Sequence, residues 1–274
     1  MKLALATQTP EVDPPPPVAL LSGTFPERMA KARDLGYDGV ELMVARPQQV
    51  DAASLLDAVR RAGLEVAAIA SGPIFMLDQI TLVSASAEIS RQASQRLTGL
   101  VDLAARMEAP LVTIGSFRGK LAWAGDPMAR SRLLEMIREA ADYAARSGVR
   151  LVIEPLNRYE TDIIRNAGEG LAFLAELDHP DVGLLLDTFH MNIEEADTAA
   201  ALIEVWQAGR LWHIHLGDSN RLPPGSGHFD FAALVRCLTA LGYQGYLSAE
   251  LLSLPDPDTA AVQTITALRR LLPD

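Results

Sequence analysis

The sequence has one cysteine, no long apolar run and no visible basic stretch. The single Cys237 excludes an intrachain disulfide, which fits a reducing cytosol. No apolar run reaches the roughly 18 residues that a membrane helix needs. The opening segment MKLALATQTPEV holds an apolar stretch too short for a signal peptide. We therefore expect a cytoplasmic protein with no membrane partner.

Positive charge is also scarce. The 274 residues include 24 Lys and Arg against 35 Asp and Glu, which gives a net charge of −11. A surface that binds duplex nucleic acid usually needs a basic footprint, so we expect no nucleic-acid partner. With 49% hydrophobic and 22% charged residues, the chain can bury a large core and is not disordered.

What the sequence does have is an alternation of short apolar runs and amphipathic segments from end to end. The apolar runs are continuous, as expected for strands of a sheet that helices cover. Glycines such as Gly36, Gly63 and Gly148 follow the amphipathic segments, which is typical of helix C-caps. The predicted strands are 3–6, 39–43, 64–70, 111–115, 150–154, 182–187, 211–216 and 246–250. The predicted helices are 25–35, 52–62, 87–108, 127–146, 167–177, 198–208, 229–241 and 258–272.

Eight strand–helix units predict a (β/α)₈ TIM barrel, with residues 1–274 as a single domain. The segments LGYDGVELM (35–43) and LGYQGYLSAELL (241–252) repeat one pattern, which supports a structure built from repeated units. An open doubly wound sheet is the alternative. It normally carries a Gly-rich phosphate turn after its first strand, and here that turn is TQTPEVDPPPP.

Four consecutive predicted strands end in residues that can bind a metal ion. They deliver Glu154, Asp187, His215 and Glu250 to the end of the barrel where TIM-barrel active sites lie. Three carboxylates so close together would repel one another, and a divalent cation resolves the conflict. Because the set lacks thiolates, it disfavours structural zinc and suits Mn²⁺, Mg²⁺ or Co²⁺. We expect Mn²⁺.

The segments around these residues resemble the xylose isomerase-like TIM-barrel superfamily. Within it, they are most similar to the D-tagatose/D-allulose (psicose) 3-epimerase group. The LDTFHMNIEE segment carries the most specific similarity. The matching segments are EPLNRYE (154–160), LDTFHMNIEE (186–195), HIH (213–215), DSNR (218–221), PGSG (224–227) and AE (249–250).

The resemblance assigns roles to individual residues. Glu154 and Glu250 match the paired glutamates that are both metal ligands and acid–base catalysts. Asp187 and His215 match the other two metal ligands. His213 matches an inward residue one layer below the metal, where it supports the site or touches substrate. The substrate-binding set that we expect is Glu160, His190, His213 and Arg221.

We therefore expect an isomerase that epimerises a free ketose at C3. One glutamate removes the proton next to the carbonyl, the other returns a proton to the opposite face, and the metal stabilises the enediolate between these steps. A free sugar is preferred because the sequence shows no Gly-rich phosphate loop. A homodimer and a homotetramer both stay open.

Three other functions stay open at this point. The loops after strands one, three and four differ from those of a typical ketohexose epimerase, which leaves room for a keto-cyclitol or keto-sugar isomerase or dehydratase. A DNA-repair endonuclease of the AP-endonuclease type would need more histidines than five. A non-catalytic sugar-binding barrel would not need both glutamates. Glu41 and Trp123 are also candidates to face the pocket, but we leave them out of the core set.

Overall fold

The computed structural model describes residues 1–272, and its eight strands form one closed parallel barrel in chain order, β1 to β8. The predicted (β/α)₈ TIM barrel is confirmed. Residues 273 and 274, at the end of the predicted domain, lie outside the described part. Within residues 1–272, no helix is both long and apolar enough to cross a bilayer.

Each strand pairs with the next one along the chain, and β8 closes the barrel on β1. The register between β6 and β7 sets Asp187 beside His215, so these two predicted ligands lie at the same height. The strands are β1 (Lys2–Gln8), β2 (Gly39–Met43), β3 (Glu65–Ala70), β4 (Leu111–Ile114), β5 (Arg150–Ile153), β6 (Val182–Asp187), β7 (Leu211–Leu216) and β8 (Tyr246–Ala249).

The eight predicted helices are all present, with ends within about two or three residues of the expected ones, and three short helices were not predicted. The additional helices are α3, α5 and α8, which lie in the loops after β3, β4 and β6. The helices are α1 (Phe25–Leu35), α2 (Ala52–Arg61), α3 (Gly72–Asp78), α4 (Ala87–Arg106), α5 (Leu121–Ala124), α6 (Ala129–Ala145), α7 (Ala167–Leu177), α8 (Thr188–Glu194), α9 (Thr198–Gln207), α10 (Phe231–Leu241) and α11 (Pro257–Arg269).

Local sequence explains where the helices begin and end. At α1, the Glu27 carboxylate accepts a hydrogen bond from the Thr24 backbone N–H, which closes a capping box. The same helix ends at Gly36, whose φ of 85° is left-handed and suits glycine. The predicted start of α10 at residue 229 is two residues early, because the Asp230 side chain caps the helix and Phe231 is its first residue.

The main apolar core lies between the barrel and its ring of helices, while the barrel interior holds a much smaller apolar layer. That interior layer consists of Ala68, Leu111, Val152 and Leu185. Toward the carboxyl ends of the strands, the interior becomes polar, with Glu41, His213 and His215 all buried. Because burying polar groups without partners is costly, this change marks the part of the barrel that is built for chemistry.

Candidate active site

The structure brings the four predicted metal ligands together at the carboxyl ends of neighbouring strands. Asp187 and His215 lie within β6 and β7, and Glu154 and Glu250 directly follow β5 and β8. One ligand atom from each residue lies within 4.8 Å of those of the other three. The Nδ1 atom of His215 is 3.3 Å from Glu154 Oε1 and 3.6 Å from Glu250 Oε2.

Several buried atoms of this cluster make no hydrogen bond to any described residue. They are Glu154 Oε1, Asp187 Oδ2 and His215 Nδ1. A buried polar atom without a partner is destabilising, and all three of these belong to residues of one cluster. With no separation above 4.8 Å, the four ligand atoms are close enough together to bind one cation. The residues therefore fit a divalent cation bound by three carboxylates and one imidazole.

The electrostatics of the cluster also favour a cation. Burial raises the pKa of Asp187 to about 7, and the neighbouring Glu154 and Glu250 carboxylates add to this effect against the opposing charge of Arg221. Burial also raises the pKa of Glu154, although His215 counteracts it. Crowding of negative charges in a buried site raises the pKa of each carboxyl group, and a bound cation would stabilise the ionised carboxylates.

Beneath the cluster lies Glu41, which is not one of the four predicted ligands. Its carboxylate is fully buried and accepts hydrogen bonds from His213 Nε2 at 2.8 Å and from His215 Nε2 at 3.0 Å. Burial alone would raise the pKa of Glu41, but the two imidazoles outweigh it and hold that pKa far below its usual range. Because His215 uses Nε2 for Glu41, its Nδ1 is the nitrogen that faces the other three ligands.

His213 lies one layer below the cluster, as expected from the sequence. Its side chain is buried, it contacts Glu41, and it is not among the residues that line the cavity above. Of the expected substrate-binding set, Glu160 and Arg221 line the cavity, whereas His213 does not, and His190 lies beside the cluster without lining the cavity. A glutamate inside the apolar strand GVELM was the only sequence signal for Glu41, since its two partners lie more than 170 positions away along the chain.

His190, in α8, lies beside the cluster with its imidazole orientation fixed. The backbone N–H of Asn157 donates to His190 Nδ1 at 3.3 Å, and the Asn157 side-chain amide lies 2.8 Å from the same nitrogen. Burial lowers the pKa of His190 well below its usual value, which keeps the ring neutral. The proton is therefore on Nε2, which is 3.8 Å from Asp187 Oδ2 and has no partner among residues 1–272.

Arg221 reaches the cluster from the loop after β7. Its Nη2 donates to Glu250 Oε2 at 2.9 Å, its Nη1 is 3.6 Å from Glu160 Oε1, and its guanidinium lies over the Phe189 ring. Burial would lower the pKa of Arg221, but Glu250 and the other carboxylates raise it above its ordinary value. The guanidinium is therefore a permanent positive charge at the edge of the site.

The loop that carries Arg221 is organised around Asp218. This buried carboxylate accepts hydrogen bonds from four backbone N–H groups, at distances of 2.7–3.1 Å. Gly227 approaches it so closely that a Cβ atom there would overlap Asp218. The donors are the N–H groups of Ser219, Gly225, Gly227 and Phe229. The Pro- and Gly-rich sequence thus folds around one acceptor and presents Arg221 to the cluster.

A cavity of about 180 Å³ opens above the cluster. One side is polar and is formed by Glu154, Glu160, Arg221 and Glu250. The rest of the lining is mostly apolar, with Pro16, Pro17, Val18, Met43, Ala70, Pro73, Met76 and Leu156. Trp123, which we expected near the pocket, stacks on Phe75 of α3 and is about half exposed, but it does not line this cavity. Such a pocket orients a small ligand by its polar end.

Known proteins share this architecture and much of this sequence. The sequence profile of the family described as "xylose isomerase-like TIM barrel" matches residues 29–271. The L-ribulose 3-epimerase of Mesorhizobium japonicum is 33% identical over 226 residues, which cover 81% of this chain and 73% of that protein. The L-ribulose 3-epimerase of a Methylomonas species is 31% identical over 252 residues, covering 90% and 85% of the two chains.

A solved structure of an L-ribulose 3-epimerase superposes with a TM-score of 0.82 and 26% identity, covering 99% of this chain and 94% of the other. The profile match covers most of the chain, and relatives above 30% identity cover more than two thirds of it. The resemblance predicted from the sequence is confirmed. The chain belongs to the xylose isomerase-like TIM-barrel family, and within it is an isomerase-class enzyme grouped with the ketose 3-epimerases.

Proposed function

We propose that this enzyme epimerises a free ketose at C3 and depends on a divalent metal ion. One observation carries the proposal: Glu154 and Glu250 both line the cavity, and their carboxylates both lie within 3.6 Å of the same nitrogen, His215 Nδ1. Two carboxylates that directly follow β5 and β8 can reach one bound substrate from two directions. This is what inversion at a carbon next to a carbonyl requires.

The reaction begins when one glutamate removes the proton from C3 of the bound ketose. The other glutamate then donates a proton to the opposite face of the same carbon, which inverts its configuration. The raised pKa of Glu154 suits both roles, because it makes the carboxylate a stronger base and increases the fraction of the carboxyl group that holds a proton to donate. After one turnover the first glutamate has gained a proton and the second has lost one, so proton exchange with solvent must restore both before the next turnover.

Glu154, Asp187, His215 and Glu250 would hold the cation. When bound, it supplies Lewis acidity to the oxygens of the reacting carbonyl and the adjacent hydroxyl. A set of three carboxylates and one imidazole suits Mn²⁺ best, with Mg²⁺ or Co²⁺ as alternatives.

Three further residues would hold the carbonyl end of the ketose. Arg221 offers a fixed guanidinium that can donate two hydrogen bonds, and Glu160 accepts from substrate hydroxyls. His190 offers an Nε2–H donor whose tautomer is set by Asn157. We infer that His213 supports the site from below through Glu41 and does not contact substrate. Arg221 is the only cation among the described residues that line the cavity and already contacts two carboxylates, which favours a free sugar over a phosphorylated one.

The test is a panel of ketopentoses, ketohexoses and keto-cyclitols incubated with the enzyme and Mn²⁺ in D₂O and followed by NMR. We expect deuterium at C3 together with appearance of the C3 epimer. An aldose product would indicate aldose–ketose isomerisation, and loss of water would indicate a dehydratase. Either result as the main reaction would overturn the proposal, as would full activity after chelation and removal of metal. Sedimentation of the same preparation decides between the homodimer and the homotetramer that we propose as assemblies in the cytoplasm.

A further inference from the structure

Arg118 is a buried cation that the proposed chemistry does not use. It ends the short 3₁₀ turn Ser116–Arg118 after β4, and its side chain has no exposed surface. Its guanidinium donates to backbone carbonyls on three segments: Gly115 at 3.0 Å, Glu154 at 2.6 Å and Ile164 at 3.1 Å. The carbonyl of Ile163 accepts two longer bonds of 3.3 and 3.4 Å. No carboxylate within residues 1–272 forms a salt bridge with it.

Keeping such a group inside the protein is costly. Burial lowers the pKa of Arg118 to about 10, against the opposing effect of Glu154, so the guanidinium stays charged at neutral pH. A buried charge without an ionic partner is strongly destabilising unless its donors are satisfied, and here backbone carbonyls satisfy them. A methionine or leucine would fill the same space without this cost. We therefore expect Arg118 to have a role that requires several N–H donors on one planar guanidinium.

The segment that it holds is the loop from residue 155 to 164. This loop is closed by a hydrogen bond of 3.2 Å from the Leu156 N–H to the Ile164 carbonyl. Ile164 has a φ of 60°, a left-handed conformation that is strained for a β-branched residue. Arg118 donates to the carbonyl of this strained residue. The loop therefore keeps its closed shape through contacts that the arginine supplies.

The same loop carries two groups that face the cluster. Asn157 fixes the imidazole of His190, and its side chain also donates to Glu160 Oε1 at 2.9 Å. Glu160 lines the cavity. Glu154, whose carbonyl accepts the shortest bond from Arg118, stands at the start of the loop. One guanidinium thus touches the backbone on both sides of the loop's active-site residues.

We propose that Arg118 is a positioning residue that sets Glu154 and the substrate-facing residues of the 155–164 loop by tying the ends of β4 and β5 to the strained turn at Ile164. The kinetic part of this proposal rests on the proposed epimerase function, but the structural part does not. Arg118 itself does not line the cavity above the cluster and would not touch substrate.

Arg210 provides a matched control. Its Nη1 also donates to three backbone carbonyls, those of His179, Pro180 and Val182, at 3.3, 2.6 and 3.0 Å. It lies just before β7, at the end of the barrel opposite the cluster. We expect R118M to raise KM and lower kcat/KM by about 100-fold, because displacing reacting groups by about 1 Å has effects of this size. R210M should change both by less than about twofold, since its contacts lie on the other side of the barrel. Equal kinetic effects of R118M and R210M would overturn the proposal.

A measurement without substrate separates this inference from the proposed function. Hydrogen–deuterium exchange should speed up over residues 155–164 in R118M and stay as in the native protein over the same residues in R210M. If R118M does not fold, R118K gives the same comparison, because lysine keeps the charge but cannot reach carbonyls on three segments at once. Native exchange in this loop together with a native KM, in either Arg118 variant, would overturn the assignment. If no ketose is turned over, the exchange data still decide it.

Discussion

The Nε2 atom of His215 lies 3.0 Å from both carboxylate oxygens of Glu41, at the centre of the barrel. This contact links β7 to β2 across the barrel and turns Nδ1 of His215 toward Glu154 and Glu250. A carboxylate behind a metal-binding histidine fixes its tautomer and increases its basicity. Glu41 is thus the residue on which the orientation of the only imidazole in the ligand set depends.

The E41Q variant should bind Mn²⁺ about 10–100-fold more weakly than the native protein, the usual cost of losing such a partner. The amide can still accept one hydrogen bond, but it no longer carries the charge that favours Nε2–H on His215. Isothermal titration of the metal-free protein with MnCl₂ measures this effect. E11Q is a suitable control, because Glu11 also accepts partly buried hydrogen bonds, from Thr9 and from backbone N–H groups, but does not contact the cluster. Native affinity in E41Q would show that Glu41 does not orient the ligand.

Metal binding should weaken as the pH falls below 7. The pKa of Asp187 is raised to about 7, and that of His215 lies well above its usual value despite burial, mainly because of Glu41 and Glu250. A ligand that holds a proton in the metal-free protein must lose it before it binds the cation. For each such proton, the apparent affinity for the metal falls about tenfold for every unit by which the pH falls below the pKa of the ligand. Titrations at pH 5.5–8 should therefore show a slope of one to two protons released below pH 7. An affinity that does not depend on pH in this range would contradict the ligand assignment.

The position of the Glu154 carboxylate can be tested by adding a methyl group at Gly115, which lies next to it. A Cβ atom on Gly115 would overlap Glu154 Oε2, whereas a Cβ on Gly72 would find its nearest neighbour, Ser116 Oγ, at 3.8 Å. Both glycines line the cavity, and neither has a positive φ. We expect G115A to lower kcat/KM by about 100-fold with little change in Tm, because it displaces a reacting group. G72A should keep kcat/KM within about threefold of native. Similar activities of the two variants would mean that the position of Glu154 is not critical.

Much of this architecture follows from short-range sequence signals. Continuous apolar runs and glycine caps such as Gly36 predicted eight strand–helix units, and polar residues after those runs predicted the cluster. The short helices α3 and α8 were missed because each follows a strand directly, and Asp187 both ends β6 and caps α8 through the Phe189 N–H. A residue that is at once a ligand and a cap gives no separate signal for a helix.

The supporting residues could not be predicted in the same way. Glu41 has partners more than 170 positions away, and Arg118 acts on carbonyls up to 46 positions away. Such contacts have no fixed spacing in the chain, and a buried arginine that binds carbonyls has no distinctive neighbours in the sequence. The depth of His213 was expected from the resemblance, but its role was left open between support and substrate contact, because the sequence does not show that its Nε2 is taken up by Glu41.

The measurement that tests the central claim most directly is incorporation of solvent deuterium at C3 of the best ketose substrate by E154Q and E250Q. Glutamine has nearly the same shape as glutamate, so we expect both variants to fold. Because an amide can neither remove nor return a proton, E154Q and E250Q should each epimerise about 10²–10⁴-fold more slowly than the native enzyme. E160Q serves as the comparison, since Glu160 is expected to bind substrate without moving its proton; it should mainly raise KM. If E154Q or E250Q exchanges the C3 proton and forms the epimer at the native rate, the two-glutamate mechanism is contradicted.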